Sequence, residues 1–348
     1  MTIKKINVIL FAAAIISLCS CNAQKNTNDK SSDEAFTRDV FAMDTYMNLK
    51  AYGSNAESAL KKAENRISEL EKTLSVTSEG SDIWKLNHSG GEYLSVSDDT
   101  IELIKKAEEV GKETDGALDI TLYPLLKEWG FTTGDYKIPD TRMLNVLLNN
   151  VDYSKIKIEG KNVTLPPDVE IDLGALAKGY TGDEVISIIS SCGVDSAIVS
   201  LGGNVQALGS KPDGSDWKVA VRDPFAPETD MCVVEISGKA VITSGNYERF
   251  FTGDDGKNYW HILDPNDGYP ADNGLVSVTV IGKNGLECDA LSTALFVCGY
   301  DKTIDYLKKH PENDVILVTD DKKVYYSDGI ADKFTNISDM PAEVIAVD

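Results

Sequence analysis

The sequence predicts an α+β fold, with largely antiparallel or mixed sheets flanked by helices. Amphipathic helical stretches fill most of the first half, while strands closing on Gly, Pro or Asp turns crowd the second. The two kinds of element do not alternate as regular βαβ units, which excludes a doubly wound parallel sheet.

The chain opens as an export signal. Lys4 and Lys5 precede an apolar run over 8–16 and then small residues. That run is too short to span a bilayer. Leu18-Cys19-Ser20-Cys21 fits a bacterial lipobox, so residues 1–20 read as a lipoprotein signal peptide and Cys21 as the acylated residue; an ordinary signal peptide is the alternative. Residues 21–35 have the composition of a disordered tether, and the folded part is expected over 36–348.

Between residues 55 and 74, Leu60, Ala63, Ile67, Leu70 and Leu74 recur at threes and fours, an amphipathic helix capped by Ser54 or Asn55. Asp99-Thr100-Ile101-Glu102 resembles a capping box for a second helix that runs to about Val110 and ends at Gly111. A third helix is expected over 141–150. The stretch KIKIEGKNVTL alternates about a Gly-containing turn and reads as a hairpin, and VEIDL (169–173) reads as a strand leading into DLGALAKGYTGDEV (172–185). A helix over 181–192 follows and stops at Gly193. Strands are then expected over 196–203, 217–223, 231–237, 239–245 and 274–282, helices over 289–298 and 301–309, and a closing strand pair over 314–320 and 323–328.

The formal charge of −22 becomes −24 when residues 1–20, which carry two lysines and no acid, are removed. So acidic a chain is a poor partner for nucleic acid or anionic lipid heads. If its ligand is itself an anion, a metal or local cations must screen it. Cys288 and Cys298 flank a helical stretch that holds them roughly 15 Å apart, beyond disulfide reach. With no CxxC and only three histidines, a zinc site is not expected.

Three segments carry candidate chemistry. In DLGALAKGYTGDEV an acid, three glycines and Lys178 precede a helix, an arrangement that offers free N–H groups and an exposed carbonyl; a tight corner with Asp172 as capping acid fits equally well. Its spacing matches neither a Walker loop nor GxGxxG. Asp289 and Thr293, four apart, place a carboxylate and a hydroxyl on one helical face, oxygen donors that suit magnesium; alternatively Asp289 is an N-cap and Thr293 fills a core slot. His261, on a short apolar strand before the Asp264-Pro265 turn, is either a general base or a packed strand residue.

Taken in order, MDT (43–45), DGALD (115–119) with Pro124, Leu125 and WGF (129–131), IDLGALAKGY (171–180), SLGGN (200–204), TSGNYERF (243–250), HILDP (261–265) and DALSTALFV (289–297) resemble the ApbE family, the FAD:protein FMN transferases. The resemblance spans nearly the whole exported chain. It implies an α+β fold, FAD as substrate, magnesium, and transfer of FMN to a threonine hydroxyl of an exported protein with release of AMP. By matching positions it places Met43, Ala117, Leu118, Asp119, Asp172, Lys178 and Ile262 at FAD, the Ala175 carbonyl with Asp289 and Thr293 at the metal, and His261 as base. It further implies a cell-envelope location, lipid-anchored and facing outward, and an acceptor such as a membrane redox-pump subunit. The alternatives are an FAD pyrophosphatase that yields FMN and AMP on the same site, and a non-catalytic FAD-binding lipoprotein. The chain departs from the pattern at Asp44, where many members carry glycine, and at Thr77, where an aromatic contact to the flavin is expected.

Overall fold

The computed structural model describes residues 33–345, so the signal peptide, Cys21 and most of the tether lie outside the described residues. Within them, a nine-stranded sheet forms the centre. Its spatial order is Ala35–Ala42, Thr45–Tyr52, Ala197–Leu201, Asn204–Leu208, Ala240–Gly245, Leu275–Gly282, Asp314–Thr319, Val324–Ser327 and Ala342–Ile345. Neighbours run antiparallel except the last pair, which is parallel, so the sheet is mixed as expected.

Among the described residues the α-helical elements that accompany it are α1 (Ala56–Leu74), α2 (Asp82–Asn87), α3 (Asp98–Glu113), α4 (Tyr123–Trp129), α5 (Thr141–Leu148), α6 (Ala177–Ser191) and α7 (Gly285–Leu307). Strand alternation decides what each face of the sheet covers. Ile242, Val278 and Val280 pack with Leu291, Leu295 and Phe296 of α7, whereas Val241, Ile281, Ile316 and Val318 pack with Val219, Val221 and Val234. Those last three belong to a small sheet of Phe334–Asn336, Ala226–Ile236 and Trp217–Asp223. Leu275–Gly282 is therefore buried on both faces, which is why LVSVTVIG is nearly continuous in apolar and small residues. Farther along the sheet, Met47, Leu49, Val199 and Leu201 pack under Leu60 and Ile67 of α1 and Val185 and Ile189 of α6. Each such buried side chain contributes roughly 1.5–3 kcal/mol, so register is held by many of them together.

The 157–164 hairpin forms as expected, Lys157–Glu159 against Asn162–Thr164. Several boundaries differ from expectation, each for a local reason. Asn55 stands at the start of α1 but its Nδ2 donates to the Cys192 carbonyl instead of its side chain capping the helix. Ser97, not Asp99, caps α3 by accepting from the Thr100 N–H. That helix continues through Gly111, because the missing side chain lets the Leu118 carbonyl approach: an added Cβ would sit 2.7 Å from it. VEIDL is not a strand; the Ile171 and Asp172 amides donate to Asn87 Oδ1 and the Ile120 carbonyl rather than to a ladder. Helix α6 starts at Ala177, four residues early, so Lys178 and Gly179 fall in its first turn. Helix α7 starts at Gly285 with Asn284 as cap, ahead of the expected 289, and the non-helical Gly299 (φ 79°, ψ 178°) divides it into two helical stretches, as expected.

Candidate active site

Helices α6 and α7 cross through paired glycines. A Cβ on Gly179 would lie 2.2 Å from the Gly285 carbonyl oxygen and 2.6 Å from Asp289 Cβ. Both helices are then clasped by hydrogen bonds. Asp183 of α6 accepts from the Gly285 N–H (2.7 Å) and the Leu286 N–H (2.8 Å), capping α7. Gln206, buried on strand Asn204–Leu208, donates through Nε2 to the Gly179 carbonyl at 2.9 Å.

This crossing opens onto a cleft of about 750 Å³, within the usual range for small-molecule sites. Every folded candidate from the sequence lines it: Met43, Ala117, Leu118, Asp119, Asp172, Ala175, Lys178, His261, Ile262, Asp289 and Thr293. Cys21 lies outside the described residues.

Asp289 departs from the helix-start position its sequence suggested. It sits more than one turn into α7, is only 4 % exposed, and accepts at Oδ2 from the Gly179 N–H at 2.8 Å. That amide, four residues beyond Ala175, would in a regular helix bond the Ala175 carbonyl. No backbone hydrogen bond ends on the Ala175 oxygen among the described residues. One contact thus holds Asp289, while Ala175, whose carbonyl has no backbone partner, lines the same cleft. Burial pushes the Asp289 carboxyl up from its ordinary value, while Lys178, the Gly179 N–H and the Asn204 amide favour its charged form. Thr293 is half-buried on the same face of α7, its Oγ1 3.2 Å from Ser244 Oγ. Carboxylate, hydroxyl and carbonyl are the hard oxygen donors that magnesium takes. Lys178 makes no ion pair within 4 Å among the described residues, leaving its charge for a ligand.

His261 directly follows the strand Asn258–Trp260 rather than lying on it. Its Nδ1 is 3.2 Å from the Arg249 carbonyl, which can only accept, so that nitrogen carries the proton and Nε2 is left as the basic atom. One edge of the ring stays open to the cleft, yet the surrounding walls and the nearby Arg249 charge lower its pKa from 6.5 to about 4, with Lys178 adding to the effect. It is therefore neutral at physiological pH.

Other candidates shape the walls. Asp119 is buried and accepts three hydrogen bonds: at Oδ1 from the Thr121 N–H (2.8 Å) and hydroxyl (2.5 Å), and at Oδ2 from the Tyr153 N–H (3.1 Å). Its carboxylate caps the turn Ile120–Leu122. Asp172 accepts from the Gly174 N–H at 2.7 Å, forming the turn ahead of α6; burial raises its pKa, opposed by that N–H, Arg249 and Lys178. Met43 and Asp44 form the tight turn of the first hairpin with φ of 52° and 57°, the left-handed region that favours glycine, and the Met43 N–H is held by Glu71 Oε1 at 2.7 Å.

The sequence reading missed Arg222, Arg249, Asn204 and Ser244, which also line the cleft. Arg249 bonds the Phe131 carbonyl at 2.8 Å and lends positive charge beside His261 and Asp172. Its signal was present in TSGNYERF, one of the segments that carry the resemblance, where the arginine was given no role.

These features define an α+β protein with one cleft that combines an oxygen-donor set, an unpaired lysine and a neutral histidine. The chain belongs to the ApbE family, whose model matches residues 43–317. It is 32 % identical over 302 residues to an FAD:protein FMN transferase of Klebsiella pneumoniae (strain 342), covering 85 % of this chain and 93 % of that protein. It is 31 % identical to an FAD:protein FMN transferase of Treponema pallidum (strain Nichols), covering 86 % and 88 %. Among solved structures, the ApbE protein of Thermotoga maritima superposes with a TM-score of 0.79 at 31 % identity, over 84 % of this chain and 96 % of that one. The flavin transferase ApbE of Vibrio cholerae gives 0.77 at 27 % identity, over 86 % and 99 %.

Proposed function

We propose that this protein transfers FMN from FAD to a threonine hydroxyl of an exported acceptor protein. The relatives named above act on FAD and a protein, and one local observation carries the reading here: Asp289, held by the Gly179 N–H, lines with Thr293 and Ala175 the same cleft as His261 and Lys178.

In this reading Met43, the 117–119 segment, Asp172 and Ile262 form the walls that hold FAD, and Lys178 offsets phosphate charge beside the acids. Magnesium held by the Ala175 carbonyl, Asp289 and Thr293 would neutralise charge on the pyrophosphate and on the leaving group. His261 Nε2 accepts the threonine proton as that oxygen attacks the FMN-side phosphorus. The phosphorus–oxygen bond to the AMP half breaks, AMP departs with the bridging oxygen, and FMN stays on the acceptor as a phosphothreonine ester. A chain this acidic can bind an anionic dinucleotide because lysine and metal reverse the field locally.

Attachment to a bacterial envelope membrane through acylated Cys21, with the enzyme on its outward-facing side, completes the reading, and a membrane redox-pump subunit is the expected client. Incubation with FAD, magnesium and such an acceptor should yield a protein that stays fluorescent after denaturation. A folded, FAD-binding enzyme that leaves the acceptor unlabelled at saturating metal would refute it, and free FMN with AMP as the only products would point to hydrolysis instead.

A further inference from the structure

An aromatic ledge leads from His261 to the surface. Phe131 lies edge-on to the His261 ring at 6.3 Å and to Tyr136 at 5.8 Å, and Tyr136 stacks on Phe251 at 5.2 Å with the planes 17° apart. Phe251 in turn stacks on Tyr259 at 5.5 Å. Ile138 closes the ledge: an added Cβ on Gly253 would meet Ile138 and Tyr259 side chains both at 2.9 Å, so the two pack together over that glycine. Despite this ordered packing, Tyr136 is 48 % and Ile138 41 % exposed.

The cleft itself has room for the dinucleotide, and Tyr136, Ile138 and Phe251 are not among its lining residues, whereas Phe131 and His261 are. A hydroxyl that must reach His261 with FAD in place has to arrive over the rim at the His261 end. Large rings held in place by stacking lose little conformational freedom on binding, which suits them to hold a partner.

We infer that this ledge is the docking surface for the acceptor polypeptide, receiving an extended segment that carries the threonine and, beside it, an apolar or aromatic side chain that packs on Tyr136 and Ile138. The inference rests on the proposed transfer reaction and names where its second substrate binds.

The test compares wild type, the double variant Tyr136→Ser/Ile138→Ser, and the control Ile337→Ser, an exposed apolar residue outside the cleft lining. The probe is the flavin-free soluble FMN-carrying domain of a membrane redox-pump subunit. The double variant is expected to raise the acceptor KM about tenfold, with kcat within about twofold and FAD affinity unchanged; the control should change neither. Calorimetry with an acceptor whose target threonine is replaced by valine reads docking without chemistry, and should show the same tenfold loss. An unchanged acceptor KM overturns the inference, as does a loss of FAD affinity with acceptor binding intact, or a wild-type dimer that the double variant dissociates without altering acceptor binding. Ledge-dependent binding by a wild type that transfers nothing would support the dock and refute the reaction instead.

Discussion

The N–H of Gly179 donates a 2.8 Å hydrogen bond to Oδ2 of Asp289, joining two residues 110 positions apart. The bond exists because α6 begins early enough to aim that amide at α7, and because glycines at 179 and 285 let the helices touch. Ala175, whose carbonyl has no backbone partner, and the buried Asp289 line the same cleft. The functional reading follows from this juxtaposition, and so do most of the predictions.

Asp289→Asn keeps the side-chain shape and removes the charge. Magnesium-dependent turnover should fall at least about a hundredfold, and magnesium affinity measured by calorimetry should fall with it. Stability should change little, since a neutral side chain costs less to bury than a carboxylate. Asp289→Ala should in addition destabilise by about 1–3 kcal/mol, because the Gly179 N–H is left without its acceptor. Urea unfolding separates the two effects.

Gly179→Ala places a methyl 2.2 Å from the Gly285 carbonyl oxygen. The helices must separate, and overpacking of this kind costs about 1–3 kcal/mol. Activity should drop more steeply than stability predicts, as the crossing also sets the Asp289–Ala175 geometry. Gln206→Leu, which leaves the Gly179 carbonyl without its buried donor, should act in the same direction. Thermal melts and magnesium titrations of both variants check this.

With its pKa held at about 4, His261 should be a competent base throughout the neutral range. The acid limb of kcat/KM for FAD, which reports the free enzyme, should lie below pH 6.5, and the limb of kcat should move upward when bound phosphates add negative charge. A limb of kcat/KM at or above 6.5 would remove His261 from the base role. The same depression has a stability consequence. Between pH 4 and 6.5 the unfolded chain binds more protons at this residue, so its contribution to stability rises with pH through that window and is an increasing penalty as pH falls. His261→Ala should cut kcat by about 10²–10⁴ with little change in FAD affinity.

Asp44 occupies a left-handed conformation at φ 57°. Asp44→Gly relieves roughly 1–2 kcal/mol of backbone cost and gives back about 0.4–1 kcal/mol through the freer unfolded chain. Net stability should therefore stay level or rise by at most about 1.6 kcal/mol, read by denaturant midpoint, with FAD affinity retained.

Strands were legible in the sequence where alternation survives because one face is buried differently from the other, as in Trp217–Asp223 and Ala197–Leu201. The starts of α6 and α7 were not. Gly179 and Gly285 read locally as helix breakers, whereas their reason is contact between helices far apart in the chain. For the same reason Asp289 looked like a solvent-facing start: its burial is imposed by α6. VEIDL has strand composition, but its amides find partners in Asn87 and Ile120, which no local pattern encodes. The candidate site residues were legible through ordered motifs and do meet in one cleft. Gln206 and Arg249 act through a carbonyl and a charge supplied by other segments, and only the folded chain brings those together.

Crystals of the FAD-bound protein soaked in manganese, a magnesium stand-in visible by anomalous scattering, test the central claim most directly. One strong peak is predicted about 2–2.3 Å from the Ala175 carbonyl oxygen, an Asp289 carboxylate oxygen and Thr293 Oγ1, in contact with the pyrophosphate. A peak elsewhere in the cleft, or one that touches Asp289 without the Ala175 carbonyl, would contradict it.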